Sequence, residues 1–155
     1  MTGEATAIIL ARAGSKGVPG KNAALVAGRP CIAWTIDAAR EARGVGKVVV
    51  STDGAALAAI AREHGCEVVE RPPDLASDTA RVEDAARHAA QRVCPQSDAH
   101  AIVILYANVP VRPEGLIARS LELLINTGCD SVQSYAPVGK HHPWWTARLD
   151  GAGRV

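Results

Sequence analysis

Short runs of aliphatic residues alternate along this chain with longer segments of helical periodicity. The runs are rich in Val, Ile and Leu and lie at residues 5–11, 47–51, 66–69 and 101–106, with a less apolar fifth at 130–135. Runs that are apolar at consecutive positions are typical of parallel strands covered on both faces. We therefore predict a mostly parallel sheet at the centre of the fold.

The segments between these runs predict helices. Residues 30–43 and 113–127 open with proline, whereas residues 54–64 and 79–93 repeat apolar side chains at intervals of three and four. Strands that alternate with helices predict right-handed crossovers and a three-layer α/β fold. We expect a single domain over residues 1–155.

Composition excludes several classes of protein. Of the 155 residues, 48% are hydrophobic and 21% are charged, which excludes a disordered or low-complexity chain. The net charge of +1 provides no basic field, so we expect no nucleic-acid partner. We also expect no membrane contact and a cytoplasmic location, because no apolar run has the length of a membrane helix and the first residues lack a signal-peptide pattern. The four widely spaced cysteines predict reduced, mostly buried thiols.

The loop after the first predicted strand, residues 12–22, has the most distinctive chemistry. It contains three glycines and the cations Arg12, Lys16 and Lys21, and no Asp or Glu occurs from residue 5 to residue 36. Glycines let the backbone approach a ligand and turn N–H groups toward an anion. Ligands of such sheets bind beyond the carboxyl ends of the strands, where this loop lies. We interpret it as a polyphosphate cradle.

Two common phosphate-binding loops do not match these residues. Gly14 and Gly20 are one residue too far apart for a P-loop, and Lys21 is followed by Asn22 instead of a hydroxyl residue. The spacing of Gly14, Gly17 and Gly20 also differs from the Rossmann fingerprint. A solvated Gly/Lys turn is the alternative that these residues leave open.

Three blocks of sequence carry a family resemblance. They are residues 8–22, residues 48–53 (VVVSTD) and residues 71–80 (RPPDLASDTA). Together they resemble the acylneuraminate cytidylyltransferases, the CMP-sialic acid synthetases. The resemblance implies a Rossmann-like nucleotidyltransferase fold and an enzyme that joins CTP to a nine-carbon α-keto sugar acid and releases pyrophosphate. It also implies Mg²⁺ as cofactor, a homodimer, and a C-terminal part of the fold that this chain lacks.

The resemblance also implies roles for individual residues. Lys21 would be catalytic at the α-phosphate, and Arg12 would contact the triphosphate. Arg71 and the backbone of Ala80 would read cytosine, and Asn22 would lie near the cytidine. The remaining nucleotide-binding residues implied by the resemblance are Ala11, Gly14, Ser15, Lys16 and Thr79.

Some of these residues have plainer interpretations. Arg71 alone is typical of a surface charge. Asp78 and Thr79 have side chains suited to cap the helix that follows them. We interpret Asp53, at the end of the second strand, as a structural residue that caps the next helix.

The segment after the fourth strand departs from the family pattern. Tyr106 stands where sialic acid enzymes typically carry Gln, which changes both shape and hydrogen bonding. We therefore expect a different nonulosonate as acceptor, such as a pseudaminic- or legionaminic-like acid, or another keto sugar acid. Arg112 is either a partner of the sugar carboxylate or a surface charge beside a helix. The predicted sugar-binding residues are Tyr106, Asn108, Arg112 and His142.

The sequence does not identify the residues that would bind the metal ion. The resemblance places the main carboxylates beyond residue 155, and Asn108 is the one possible ligand that we name in the chain. Trp144 and Trp145 predict one outward-facing apolar side chain, suited to a dimer interface. The alternatives are a KDO-type sugar nucleotidyltransferase, whose usual loop differs at Lys16 and Asn22, or a catalytically impaired nucleotide-binding domain.

Overall fold

A computed structural model describes residues 4–14, 17–95 and 101–135 of the chain. Its strands and helices alternate as the sequence predicts. In chain order the elements are β1 (Ala5–Leu10), β2 (Leu25–Val26), β3 (Arg29–Pro30), α1 (Cys31–Arg40), β4 (Val45–Thr52), α2 (Ala55–Glu63), β5 (Glu67–Glu70), α3 (Pro73–Ala76), α4 (Val82–Val93), β6 (Ile102–Tyr106) and α5 (Leu116–Thr127).

Four strands form one parallel sheet in the order β5-β4-β1-β6. The chain builds outward from β1 through β4 to β5, and then crosses to the other side of β1 for β6. In sheets of this kind, such a reversal produces a crevice at the carboxyl ends of the two strands that flank it, here β1 and β6, and ligands bind there. The prediction of an α/β fold with a parallel sheet is confirmed.

Alternating side chains of β1 pack against two different layers. Ile9 belongs to a core with residues of α1, α2 and α5, such as Ile36 and Leu121. Ile8 and Leu10 point to the other face, where α4 covers them. Helices on both faces of the sheet make the three predicted layers.

The structure corrects several boundaries. The helix predicted at residues 79–93 begins at Val82, and the one predicted at 113–127 begins at Leu116. The fifth strand predicted at residues 130–135 is wrong, because these mostly exposed, polar residues form no strand. The hairpin of β2 and β3 was not predicted; Ala27 and Gly28 turn it with φ angles of 50° and 79°.

The cysteines match their prediction only in part. Cys31 and Cys66 are buried, Cys94 is partly buried and Cys129 is exposed, and all four are free thiols. Within the described ranges, no helix combines the length and apolar character that crossing a bilayer requires.

The two faces of β6 differ in burial. Leu105 is buried against the helices of one layer, whereas Ile102, Ile104 and Tyr106 are each about two-fifths to one-half exposed. Ile104 pairs in register with Ile8 of β1 and points to the same side of the sheet. The layer formed by α4 therefore covers β1 but stops short of β6.

This difference in cover yields a stability prediction for the chain of 155 residues. Ile8→Ala should lower the free energy of unfolding by about 2–5 kcal/mol, because it opens a cavity in a fully buried site. The register partner Ile104→Ala is the matched control and should cost much less, because Ile104 is 39% exposed. Urea unfolding followed by circular dichroism measures both. Equal losses would contradict the layer arrangement.

Candidate functional site

Backbone hydrogen bonds carry the sheet ladder one step beyond the strands. The N–H of Ala11 donates to the carbonyl of Ser51 over 3.0 Å, and the N–H of Arg71 donates to the carbonyl of Thr52 over 2.9 Å. On the other side, the N–H of Ala107 donates to Leu10 over 3.2 Å. The loops that follow β1, β4, β5 and β6 therefore leave one edge of the sheet from fixed backbone positions.

Arg12 connects the first loop to the segment between α3 and α4. Its guanidinium donates to the carboxylate of Asp78 over 3.0 Å and to the carbonyl of Ser77 over 3.3 Å. Its own carbonyl accepts from the side-chain amide of the buried Asn22 over 2.9 Å. The Asn22 side chain thus holds the loop.

Lys21 follows a position whose backbone conformation favours glycine. Gly20 has a φ angle of +63°, and the turn is closed by the N–H of Lys21 donating to Val18 over 3.2 Å. Among the described residues, no carboxylate lies within ion-pair distance of the Lys21 ammonium. Lys21 is therefore a cation available to a ligand.

The thiol of Cys31, the first residue of α1, lies near residues of the loop after β1 and of the loop after β6. Burial raises the pKa of Cys31, while the nearby charges of Arg112 and Lys21 act in the opposite direction. Its sulfur lies 3.5 Å from the carbonyl oxygen of Ala107, just beyond β6. Lys21 and Arg112 are therefore both close to the start of α1.

Arg71 is buried, so the interpretation as a surface charge is wrong. Its Nε donates to the hydroxyl of Ser51 over 3.2 Å, and one Nη donates to the carbonyl of Ser51 over 2.9 Å. Burial lowers the pKa of Arg71, the carboxylate of Asp53 opposes this effect, and Arg12 adds to it. The charges of Arg71 and Arg12 thus influence each other at this edge of the sheet.

Thr79 and Ala80 belong to the turn that Arg12 contacts. The N–H of Ala80 donates to Ser77 over 3.3 Å, and the hydroxyl of Thr79 lies 3.3 Å from that of Ser77. Helix α4 has Arg81 at its N-cap and no side-chain cap. Helix capping by Asp78 or Thr79 is therefore wrong.

Arg112 stabilises the loop after β6 through hydrogen bonds. Its guanidinium donates to the carbonyls of Tyr106 and Val109 over 2.9 and 2.7 Å, and to the hydroxyl of Thr35 over 3.0 Å. Thr35 is fully buried in α1. Burial lowers the pKa of Arg112, so Arg112 is not a freely solvated charge beside a helix.

The side chains of Tyr106 and Asn108 are exposed on this framed loop. Gly14 is exposed too, with open space where a side chain would stand. Ser15, Lys16 and His142 lie outside the described residues, as do Trp144 and Trp145. The structure thus brings together Arg12, Lys21, Asn22, Arg71, Thr79 and Ala80 on one side of the crevice, and Tyr106, Asn108 and Arg112 on the other.

The described residues contain no group of three or more His, Cys, Asp or Glu that could hold a metal ion. Asn108 is exposed and contributes at most one amide oxygen. A magnesium site formed by the protein alone is therefore not found in the described part of the chain.

Sequence reasoning missed three residues that shape the site. Ser51 holds Arg71, and Thr35 holds Arg112. Asp53 accepts a hydrogen bond from the backbone of the first loop, whereas α2 has Gly54 at its N-cap and no side-chain cap, so our helix-cap interpretation is wrong. One signal existed in the sequence: Thr35 is a hydroxyl residue on an otherwise apolar stripe of its helix.

A family model for cytidylyltransferases matches residues 6–148. The N-acylneuraminate cytidylyltransferase of Streptococcus agalactiae serotype III (strain NEM316) is 36% identical over 145 residues, which are 92% of this chain and 34% of the relative. The CMP-N,N'-diacetyllegionaminic acid synthase of Legionella pneumophila subsp. pneumophila (strain Philadelphia 1) is 36% identical over 152 residues, 96% of this chain and 64% of the relative. The chain thus spans from about a third to under two thirds of these relatives.

Solved structures share the fold. The structure of CMP:2-keto-3-deoxy-manno-octonic acid synthetase complexed with CTP has a TM-score of 0.70 and 22% identity, over 81% of this chain and 48% of the other. A cytidylyltransferase from Leptospira borgpetersenii serovar Hardjo-bovis (strain JB197) has a TM-score of 0.64 and 19% identity, over 79% and 49%. The Rossmann-like prediction is confirmed at the level of the fold.

The three bonds of Arg112 predict a cost for its removal. Arg112→Ala should lower the free energy of unfolding by about 1–2 kcal/mol, because the carbonyls of Tyr106 and Val109 and the buried Thr35 hydroxyl each lose the hydrogen bond that the guanidinium donates. Arg112→Lys should recover only part of this loss, since one ammonium lacks the planar fork of a guanidinium. Thermal and urea unfolding measure both variants.

The matched control is Arg62→Ala, on the exposed surface of α2. It should stay within about 0.5 kcal/mol of the parent chain. If Arg112→Ala is as stable as this control, the three contacts do not hold the loop.

Proposed function

Because this chain belongs to the cytidylyltransferase family, we propose that it activates a sialic-acid-like nonulosonic acid with CTP, yielding the CMP-sugar and pyrophosphate. One observation carries the proposal: Arg12, Arg71 and Lys21 all belong to loops that leave the carboxyl edge of the sheet, in a chain whose net charge is only +1. A triphosphate is the ligand class that such a local group of cations favours. The relatives named above supply the nucleotide and the class of acceptor.

In the proposed reaction, the anomeric hydroxyl of the sugar acid attacks the α-phosphorus of CTP in line. A new bond forms between the sugar oxygen and phosphorus, the bond to the β-phosphate oxygen breaks, and pyrophosphate leaves. Charge spreads over phosphoryl oxygens in the transition state, so fixed cations accelerate the step. Lys21, which has no carboxylate partner among the described residues, is suited to the α-phosphate, and Arg12 to the rest of the triphosphate.

The same side of the crevice offers groups for the base. Arg71 uses its Nε and one Nη on Ser51, which leaves further N–H groups for the acceptor atoms of cytosine. The carbonyl of Ala80 would accept from the exocyclic amine, and Asn22 and Thr79 would line the cytidine. Ala11, Gly14, Ser15 and Lys16 complete the proposed phosphate loop.

The opposite side is proposed to receive the sugar. Tyr106 and Asn108 have exposed side chains on the loop that Arg112 holds. We propose that these three residues and His142 bind the acceptor. Tyr106 in place of Gln supports a nonulosonate other than sialic acid itself.

We also propose Mg²⁺ as cofactor, a homodimer and a cytoplasmic location. Because the described residues offer no metal cluster, such an ion would be ligated by phosphate oxygens and water together with the carboxylates that the resemblance places beyond residue 155. Exposed Leu123 and Ile125 on α5 support an interface. The four free thiols fit a reducing compartment.

Lys21→Ala tests the proposed chemistry. We expect kcat to fall by about 100-fold or more, because a charge that stabilises the transition state is lost, while the free energy of unfolding stays near that of the parent. Release of pyrophosphate from CTP in the presence of sugar acid measures the rate. Near-normal turnover would refute the role of Lys21.

Lys47→Ala is the control for removal of a lysine, since Lys47 pairs with Glu67 toward the amino end of β4. It should leave turnover unchanged.

The substrates are tested by measuring pyrophosphate release from CTP, UTP and ATP, each with N-acetylneuraminate, N,N'-diacetyllegionaminate or 3-deoxy-manno-octulosonate as acceptor. Preference for UTP or ATP would contradict the proposed cytosine site. CTP binding without pyrophosphate release would favour the alternative of a catalytically impaired nucleotide-binding domain.

A further inference from the structure

Asp53 lies between the first loop and the strand beside it. It directly follows β4, the neighbour of β1, and its Oδ1 accepts a hydrogen bond from the backbone N–H of Ala13 over 2.8 Å. The two residues are 40 positions apart in sequence. The carboxylate of Asp53 therefore joins the ends of two strands at the edge where the ligand is proposed to bind.

This bond completes a row of three contacts on consecutive residues. The N–H of Ala11 is held by Ser51, the carbonyl of Arg12 by Asn22, and the N–H of Ala13 by Asp53. Beyond them the chain enters Gly14, which is exposed. The Arg12 side chain and the glycine-rich turn consequently start from a backbone that is fixed before any nucleotide arrives.

A second, independent observation is the close approach of Gly54 to the same loop. A Cβ atom placed on Gly54 would lie 2.8 Å from the Cβ of Ala13, closer than such atoms come in proteins. The absence of a side chain at Gly54 lets the loop come near enough for Asp53 to reach it. The carboxylate of Asp53 and the missing side chain of Gly54 thus both determine where the backbone of Ala13 lies.

We propose that Asp53 is a positioning residue of the nucleotide site, whose carboxylate fixes the backbone of the glycine-rich loop in the conformation that receives the triphosphate. The proposal rests on the proposed function for its ligand. A carboxylate is an unfavourable neighbour for phosphates by charge alone. Its contribution is therefore geometric, and an uncharged acceptor of the same shape should replace it.

Two substitutions separate geometry from charge. Asp53→Ala removes the acceptor, and we expect the Kd for CTP to rise about tenfold or more, the size of effect that the loss of one hydrogen bond produces. Asp53→Asn keeps an acceptor oxygen, so its Kd should stay within about threefold of the parent or become smaller. Glu63→Ala, at the far, exposed end of α2, is the matched control and should not change the Kd.

Hydrogen exchange gives a readout that needs no nucleotide. The amide of Ala13, followed by NMR in the free chain, should exchange faster in Asp53→Ala than in the parent and be protected again in Asp53→Asn. Gly54→Ala serves as a second variant if Asp53→Ala does not fold. It keeps the carboxylate but pushes Ala13 away, and should raise the Kd for CTP in the same direction.

The outcomes are distinguishable. If the parent binds no CTP, the proposed function fails, and unchanged Ala13 exchange in Asp53→Ala would also overturn the anchoring. If the parent binds CTP and Asp53→Ala binds it equally well, Asp53 is merely structural and the positioning role is overturned. Failure of Asp53→Asn to restore binding overturns the geometric account as well. Isothermal titration calorimetry on the folded variants measures each Kd.

Discussion

The parallel direction of the four central strands is the constraint on which the candidate site depends. Parallel strands bring all their carboxyl ends to one edge, so the loops after β1, β4, β5 and β6 meet there although they are far apart in sequence. β6 lies on the side of β1 opposite to β4. The loops after β1 and β6 therefore leave the sheet in opposite directions, and such an arrangement produces a crevice between them. An antiparallel sheet of the same segments would divide these loops between two edges.

Two of the cations at this edge, Arg12 and Arg71, lie near carboxylates. Arg12 is paired with Asp78, and Asp53 counteracts the effect of burial on the pKa of Arg71. In the proposed function, an incoming triphosphate would share Arg12 with the carboxylate of Asp78. Arg12 and Arg71 are therefore held in place by the fold, so the proposed reaction would need little reorganisation of these two groups when charge develops on the phosphates.

The opposite side of the crevice combines a rigid frame with exposed side chains. Arg112 and the buried Thr35 hold the backbone of the loop after β6 to α1. Tyr106 and Asn108 project from this frame into solvent. A change of side chain at these two positions alters the shape of the site without altering the backbone, which is how one fold serves different sugar acids in the proposed function.

The sequence by itself determined the layers, the parallel strands and the glycine-rich loop with its cations, because hydrophobic periodicity and glycine spacing are local properties of the chain. It did not reveal that Asp53 binds the backbone of Ala13 or that Arg112 binds Thr35, since these partners are 40 and 77 residues apart. Nor did local propensity reject a strand at residues 130–135, where polar, exposed side chains bury too little apolar surface to join the sheet. Only the tertiary structure decided these points, because the partner of a polar group depends on which strand ends the sheet brings side by side.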